Sequence, residues 1–190
     1  MKIIGITGGS GAGKSTVCAE LKKRGALIID ADKISREVSA RGGAAFDEIV
    51  GAFGEEILSG GEIDRKRLGG IVFADREKLD TLNKITHKHI FAEMKRQLSG
   101  CRAAVAVLDV PLLFRDDFPI KCDLTVAVTA PYNVRIDRIM KRDGIDRGAA
   151  EARLKNQISD AQYAELADMC FENSGTEKRL AELADRLIEN

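Results

Sequence analysis

The sequence predicts a three-layer α/β/α sandwich with about five parallel strands, and three observations carry that expectation. Residues 8–15 read Gly-Gly-Ser-Gly-Ala-Gly-Lys-Ser, a complete G-x-x-x-x-G-K-[ST] phosphate loop between an apolar run and a helical pattern. Apolar runs bounded by turn residues recur along the chain, and several lack the polar alternation of a half-solvated strand. That pattern suits parallel strands covered on both faces. Helical patterns separate the runs and supply right-handed crossovers, which places ligand at the carboxyl ends of the strands.

The elements follow in order. Residues 2–6 form the first strand, and the loop leads into a helix over 16–24. The glycines let the backbone bend around an anion so that its N–H groups point inward, and the helix adds the positive end of its dipole. Gly9, Ser10, Gly11, Ala12, Gly13, Lys14, Ser15 and Thr16 are the expected nucleotide-binding residues. Lys14 can reach the terminal phosphates of a nucleoside triphosphate, and the Ser15 hydroxyl can hold Mg²⁺. The other strands are expected at 26–29, 103–110, 124–128 and 169–172. Between residues 31 and 100 no strong strand is visible, only helical patterns such as 46–53 and 75–98. Seventy residues exceed a simple crossover, so about 33–100 reads as a helical insertion over the strand ends, where a second substrate would sit. A second excess, about 135–160, is helical, rich in arginine and interrupted at Asp143-Gly144, as expected of a lid. The core is left as 1–32, 101–134 and 166–190, one domain in all.

Composition narrows the partners. A chain of 190 residues suits one domain with a substantial core. Thirty basic and thirty acidic residues balance, which argues against a nucleic-acid or anionic-membrane footprint. Cys18, Cys101, Cys122 and Cys170 stand apart without a C-x-x-C pair and read as reduced, mostly buried thiols. With no leader pattern or membrane-length apolar run, a cytoplasmic protein is expected, with a monomer as the default.

Three further features narrow the chemistry. Asp30-Ala31-Asp32 ends the second strand, where Asp32 can orient a substrate hydroxyl and take its proton, or cap a helix beginning at Lys33. Asp109 ends a buried strand, where a carboxylate needs a partner such as a metal or its water. No Asp-x-x-Gly or Asn-Lys-x-Asp accompanies it, which disfavours a guanine-specific switch. Of Arg135, Arg138, Arg142, Arg147 and Arg153, the pair Arg138 and Arg142 shares a helix face suited to a migrating phosphoryl group. The other three read as solvated. His87 and His89 point to different sides of a helix; one is either a substrate contact or an ordinary polar-face histidine.

Taken together, these residues resemble the dephospho-CoA kinase family over nearly the whole chain. The resemblance runs through residues 4–15, Ile29-Asp30-Ala31-Asp32, Leu82-Asn83-x-Ile85-x-His87 and Asp109-x-Pro111-Leu112-Leu113. It continues through Arg138-x-x-x-Arg142-Asp143, Arg153-x-x-x-Gln157, and Ala167-Asp168 to Asn173-x-Gly175. It implies a nucleoside-monophosphate-kinase-like fold and transfer of the ATP γ-phosphate to the ribose 3′-hydroxyl of dephospho-CoA. By matching positions, Asp32, Lys14 and Arg142 become the catalytic set, with Arg138 and Asn173 on ATP. Thr7, Asp32, His87, Asp109, Pro111 and Leu112 fall on the substrate side. ATP and dephospho-CoA are the implied partners, with Mg²⁺ as cofactor. The chain departs from the family at Lys88, usually proline, at Arg115, usually glutamate, at Arg135, often glutamine, and at Tyr163, often lysine. Another small-molecule kinase, such as a shikimate-type enzyme, and a non-catalytic nucleotide switch are the competing readings.

Overall fold

A computed structural model of the chain describes all residues except Leu112, Asp116, Asn156 and Asn190. The chain divides into two compact units, Met1–Ile29 with Cys101–Asn190, and Asp30–Gly100.

In the first unit, strand β1 (Lys2–Thr7) runs through the phosphate loop into α1 (Lys14–Lys23), and β2 (Leu27–Asp30) follows. In the second unit, α2 (Ala31–Ser39) and α3 (Phe46–Phe53) precede a small hairpin, β3 (Leu58–Ser59) and β4 (Glu62–Ile63). Then come α4 (Arg65–Val72) and the long α5 (Arg76–Ser99). The first unit resumes with β5 (Val105–Asp109), β6 (Leu124–Thr129), α6 (Tyr132–Asp143), α7 (Arg147–Lys155) and α8 (Asp160–Leu166). It closes with β7 (Met169–Glu172) and α9 (Glu177–Glu189).

The sheet has the order β2-β5-β1-β6-β7, with β1 parallel to both β5 and β6, and β6 parallel to β7. The five expected strands are these five. Because β1 lies between β5 and β6, the chain leaves it toward one side and later crosses to the other. The loop after β1 therefore stands at the topological switch point, where open α/β sheets bind ligands. Central strands are buried on both faces: Ile4 and Ile6 of β1, Val105 and Val107 of β5, and Val126 and Val128 of β6 share one cluster, and the alternating Ala106, Leu108 and Ala127 are fully buried on the other face. Val17 and Leu21 of α1 and Leu180, Leu183 and Leu187 of α9 close that cluster from the helix side. Each fully buried aliphatic side chain there contributes roughly 1.5–3 kcal/mol, so the loop is mounted on a closely packed core.

The edge strand β7 alternates between half-buried and exposed residues, which leaves Cys170 at the surface. Only Cys18 of the four thiols is buried, so the expectation of mostly buried cysteines fails at Cys101, Cys122 and Cys170. Cys170 takes the outward register of the edge strand, and Cys101 and Cys122 lie in loops.

The second unit is held by apolar stripes on its helices: Ile34 and Val38 of α2, Ile49 and Phe53 of α3, Leu68 and Val72 of α4, and Ile85, Ile90 and Met94 of α5. Asp64 and Asp75 cap α4 and α5 by accepting from first-turn N–H groups. The turn of the β3–β4 hairpin is Gly60-Gly61, both at positive φ (61° and 82°), as a tight hairpin turn demands. That two-residue pairing is the strand content between residues 31 and 100 among the described residues. No described helix is long and apolar enough to cross a membrane.

Candidate active site

Gly13 carries the capping position of α1 in a left-handed conformation (φ 94°), and no side chain caps the helix. A Cβ at Gly13 would drive into the Asn173 amide, and one at Gly8 (φ 138°) into the Val128 carbonyl. Both positions therefore need glycine for conformation and for space. Among the described residues, no acceptor takes the N–H groups of Gly11, Gly13, Lys14 or Ser15. Four unpaired donors at a helix N-terminus, with no acidic residue in the first turn, form a site for an anion.

Three of the other expected loop donors are engaged. The Ser10 N–H goes to Gln157 Oε1 (2.9 Å), Ala12 N–H to the Gly9 carbonyl (3.2 Å) and Thr16 N–H to the Gly13 carbonyl (3.1 Å). Lys14 Nζ donates to the Gly8 carbonyl (2.9 Å) across the mouth of the loop. Ser15 and Thr16 are exposed. The open cradle is thus narrower than the whole motif.

Behind the loop stand groups from later in the chain. Arg138 Nη1 donates to the carbonyls of Gly11 (3.1 Å) and Ala12 (3.2 Å), and Asn173 Nδ2 donates to Ala12 O (3.0 Å). Asn173 is almost fully buried, and its Oδ1 accepts from Gly175 N (3.1 Å). Arg135 overturns its reading as a solvated arginine. It is 6% exposed and packs against the loop, with Nε on the Ser10 carbonyl (2.9 Å). The signal was present in the sequence: Arg135 lies on the α6 face that buries Ile136 and Ile139.

At the carboxyl ends of β1 and β5, Ile6 is in register with Asp109. Thr7, fully buried, donates from Oγ1 to the Pro111 carbonyl (3.1 Å) and is hydrogen-bonded to the Tyr163 hydroxyl. Burial pushes the Tyr163 phenol above its ordinary pKa, so it stays protonated at neutral pH. Thr7, Asp109 and Pro111 are brought together here; Leu112 lies outside the described residues.

Arg142, in the last turn of α6, is largely exposed and pairs with Asp143 through Nε (2.7 Å) and Nη2 (2.9 Å). Arg153 of α7 reaches the same carboxylate. These guanidinium groups, Arg142 first, hold the Asp143 carboxyl down to about 2. Arginines from α6 and α7 thus converge on one anionic group.

In the second unit, the cap of α2 is Asp30, not Asp32: Asp30 Oδ1 accepts from Lys33 N (2.9 Å) and the helix begins at Ala31. The capping alternative for Asp32 is overturned because the helix begins at Ala31, two residues before Lys33, which puts Asp32 inside the first turn. Asp32 sits exposed in the first turn, with no hydrogen-bond or ion-pair partner among the described residues. On α5, the His87 ring lies tilted by 40° against Phe91 (centroids 5.4 Å apart), while His89 Nε2 lies 2.8 Å from Glu48 Oε2. Lys88 also pairs with Glu48 (3.0 Å). Arg115 pairs with Asp117 (2.9 Å).

A family model described as dephospho-CoA kinase matches residues 2–179. A dephospho-CoA kinase from Thermobifida fusca is 39% identical over 179 residues, covering 93% of this chain and 90% of that protein. One from Fusobacterium nucleatum is 38% identical over 188 residues, covering 98% and 97%. A crystal structure from Thermus thermophilus superimposes with a TM-score of 0.85 at 33% identity, covering 99% of this chain and 97% of that one.

Proposed function

The chain belongs to the dephospho-CoA kinase family, and from that premise we propose that it moves the γ-phosphoryl group of ATP to the ribose 3′-hydroxyl of dephospho-CoA, giving coenzyme A and ADP. The observation that carries the reading is the phosphate loop with its four open N–H groups at the start of α1.

In this reading the N–H groups of Gly11, Gly13, Lys14 and Ser15 bind the nucleotide phosphates. Lys14 exchanges the Gly8 carbonyl for β- and γ-phosphate oxygens. Asp32 orients the acceptor hydroxyl and takes its proton, an assignment supported by its freedom from the capping role. Arg142 exchanges Asp143 for the transferring group and supplies a planar pair of donors. Residues 33–100 serve as the acceptor-side insertion and 135–160 as the lid, which excludes water from the reacting phosphate. Thr7, Asp109, Pro111 and His87 are placed on the acceptor side, and Arg138 and Asn173 on the nucleotide side.

Ser15 would hold Mg²⁺: its hydroxyl is exposed beside the open donors and has no other partner among the described residues. No group of three or more acidic, histidine or cysteine residues suits a metal among the described residues. That fits an ion completed mainly by phosphate oxygens and water. The chemistry Mg²⁺ supplies when bound is neutralisation of charge on the β- and γ-phosphates. A cytoplasmic enzyme without a nucleic-acid or membrane partner is the reading supported by the balanced charge and by four cysteines that form no disulfide, with a monomer as the default.

The test is ADP release measured with dephospho-CoA, shikimate, nucleoside monophosphates and no acceptor. Release dependent on dephospho-CoA supports the reading. Release with shikimate alone, or release indifferent to every acceptor, overturns it.

A further inference from the structure

Three successive carbonyls of the phosphate loop are gripped from behind: Ser10 O by Arg135, Gly11 O by Arg138, and Ala12 O by Arg138 and Asn173. A trans peptide sets its C=O and the following N–H on opposite sides. Each grip therefore turns the next N–H, those of Gly11, Ala12 and Gly13, toward the opposite face. A donor on the carbonyl also polarises the peptide group and makes its N–H a stronger donor. The N–H groups of Gly11 and Gly13 are two of the four left open for an anion.

Arg135 is the centre of this rear support. Besides Ser10 O, it reaches Asp160 through Nη1 (3.1 Å) and Gln157 Oε1 through Nη2 (3.1 Å). Gln157 holds Ser10 at two points, accepting from its N–H (2.9 Å) and donating Nε2 to its hydroxyl (2.8 Å). One buried guanidinium thus fixes Ser10 directly and also orients the amide that fixes it a second time. A Cβ on Gly9 would strike the Arg135 guanidinium, and one on Gly11 the Arg135 backbone carbonyl, so the loop and this residue fit each other closely. An arginine kept only as a surface charge would be exposed, and this one is not.

We propose that Arg135 is a positioning residue for phosphate binding: from behind the loop it sets the Ser10 peptide so that Gly11 N–H faces the nucleotide phosphates, and through Gln157 and Asp160 it ties residues 157–160 to the loop. The proposal rests on the kinase reading above. It makes Arg135 act on the nucleotide and not on the acceptor.

The test uses the full chain with Arg135→Ala, Arg135→Gln and Arg135→Lys. Measured are KM for ATP and for dephospho-CoA, kcat, Tm and, by calorimetry, the Kd of ADP. Loss of a charge-assisted hydrogen bond should raise the ATP KM and ADP Kd about tenfold or more in Arg135→Ala. The dephospho-CoA KM should stay within about twofold, because that substrate's interactions are untouched. Glutamine keeps one donor for Ser10 O, so Arg135→Gln should recover part of the loss; it and Arg135→Lys carry the test if the alanine variant does not fold. A merely structural role would lower Tm and the active fraction without moving KM or Kd, and that result overturns the proposal. So does an equal rise in both KM values. The ADP Kd is read without an acceptor, so a parent chain inactive on dephospho-CoA would refute the kinase reading while leaving this inference open to support or refutation by ADP binding.

Discussion

Replacing Asp32 with asparagine separates chemistry from folding. Asp30 already caps α2, and Asp32 lies exposed in the first turn without a partner among the described residues. Its contribution to stability is then limited to its charge beside the helix N-terminus, about 0.3–1 kcal/mol. For a chain of this size a kilocalorie shifts Tm by roughly 2–4 °C, so Asp32→Asn should lower Tm by less than about 4 °C. Loss of a base or orienting carboxylate should cut turnover by roughly 10²–10⁴, with ATP affinity nearly unchanged. Asp30→Ala reverses the pattern: it removes the bond to Lys33 N, costs about 1 kcal/mol and leaves the Asp32 carboxylate in place. The assay is ADP release at saturating ATP and dephospho-CoA, paired with thermal unfolding of both variants. Asp32→Asn with near-parental turnover would remove Asp32 from the chemistry.

Lys14→Ala should abolish turnover with an unchanged circular dichroism spectrum, since its hydrogen bond in the structure is a single contact to Gly8 O; an active variant would refute the phosphate-loop assignment. Asn173→Ala removes the donor to Ala12 O and the acceptor for Gly175 N–H, and should cost about 1–3 kcal/mol in urea unfolding while raising the ATP KM. The Asp143 carboxyl is lowered from 3.8 to about 2 by Arg142 first and Arg153 second, so its stabilisation is full above the unfolded value and is lost as pH falls through the folded one. Asp143→Asn should therefore flatten the acid limb of Tm against pH, and an unchanged limb would show that these pairs do not contribute.

The sheet was legible because its strands leave a direct mark on composition. Residues such as Ile4, Ile6, Val105 and Val107 are buried on a strand covered on both sides, and only apolar side chains tolerate that. The phosphate loop was legible because its geometry demands glycine at particular places. Pairings across long stretches of chain were not. Gln157 meets Ser10 from 147 residues away, and nothing in local pattern announces that contact. Arg135 was read as solvated because an arginine among other arginines resembles a polar helix face, although its place beside Ile136 and Ile139 marks the apolar one. The capping alternative at Asp32 failed because α2 begins at Ala31 rather than Lys33, a shift of two residues of the kind helix ends commonly show.

The most direct test follows the phosphate. ATP labelled at its γ-phosphate is incubated with the chain and dephospho-CoA, and the product is identified by mass and by ³¹P NMR. The account predicts one labelled 3′-phosphomonoester on coenzyme A for each ADP formed. Labelled inorganic phosphate with dephospho-CoA unchanged would contradict it.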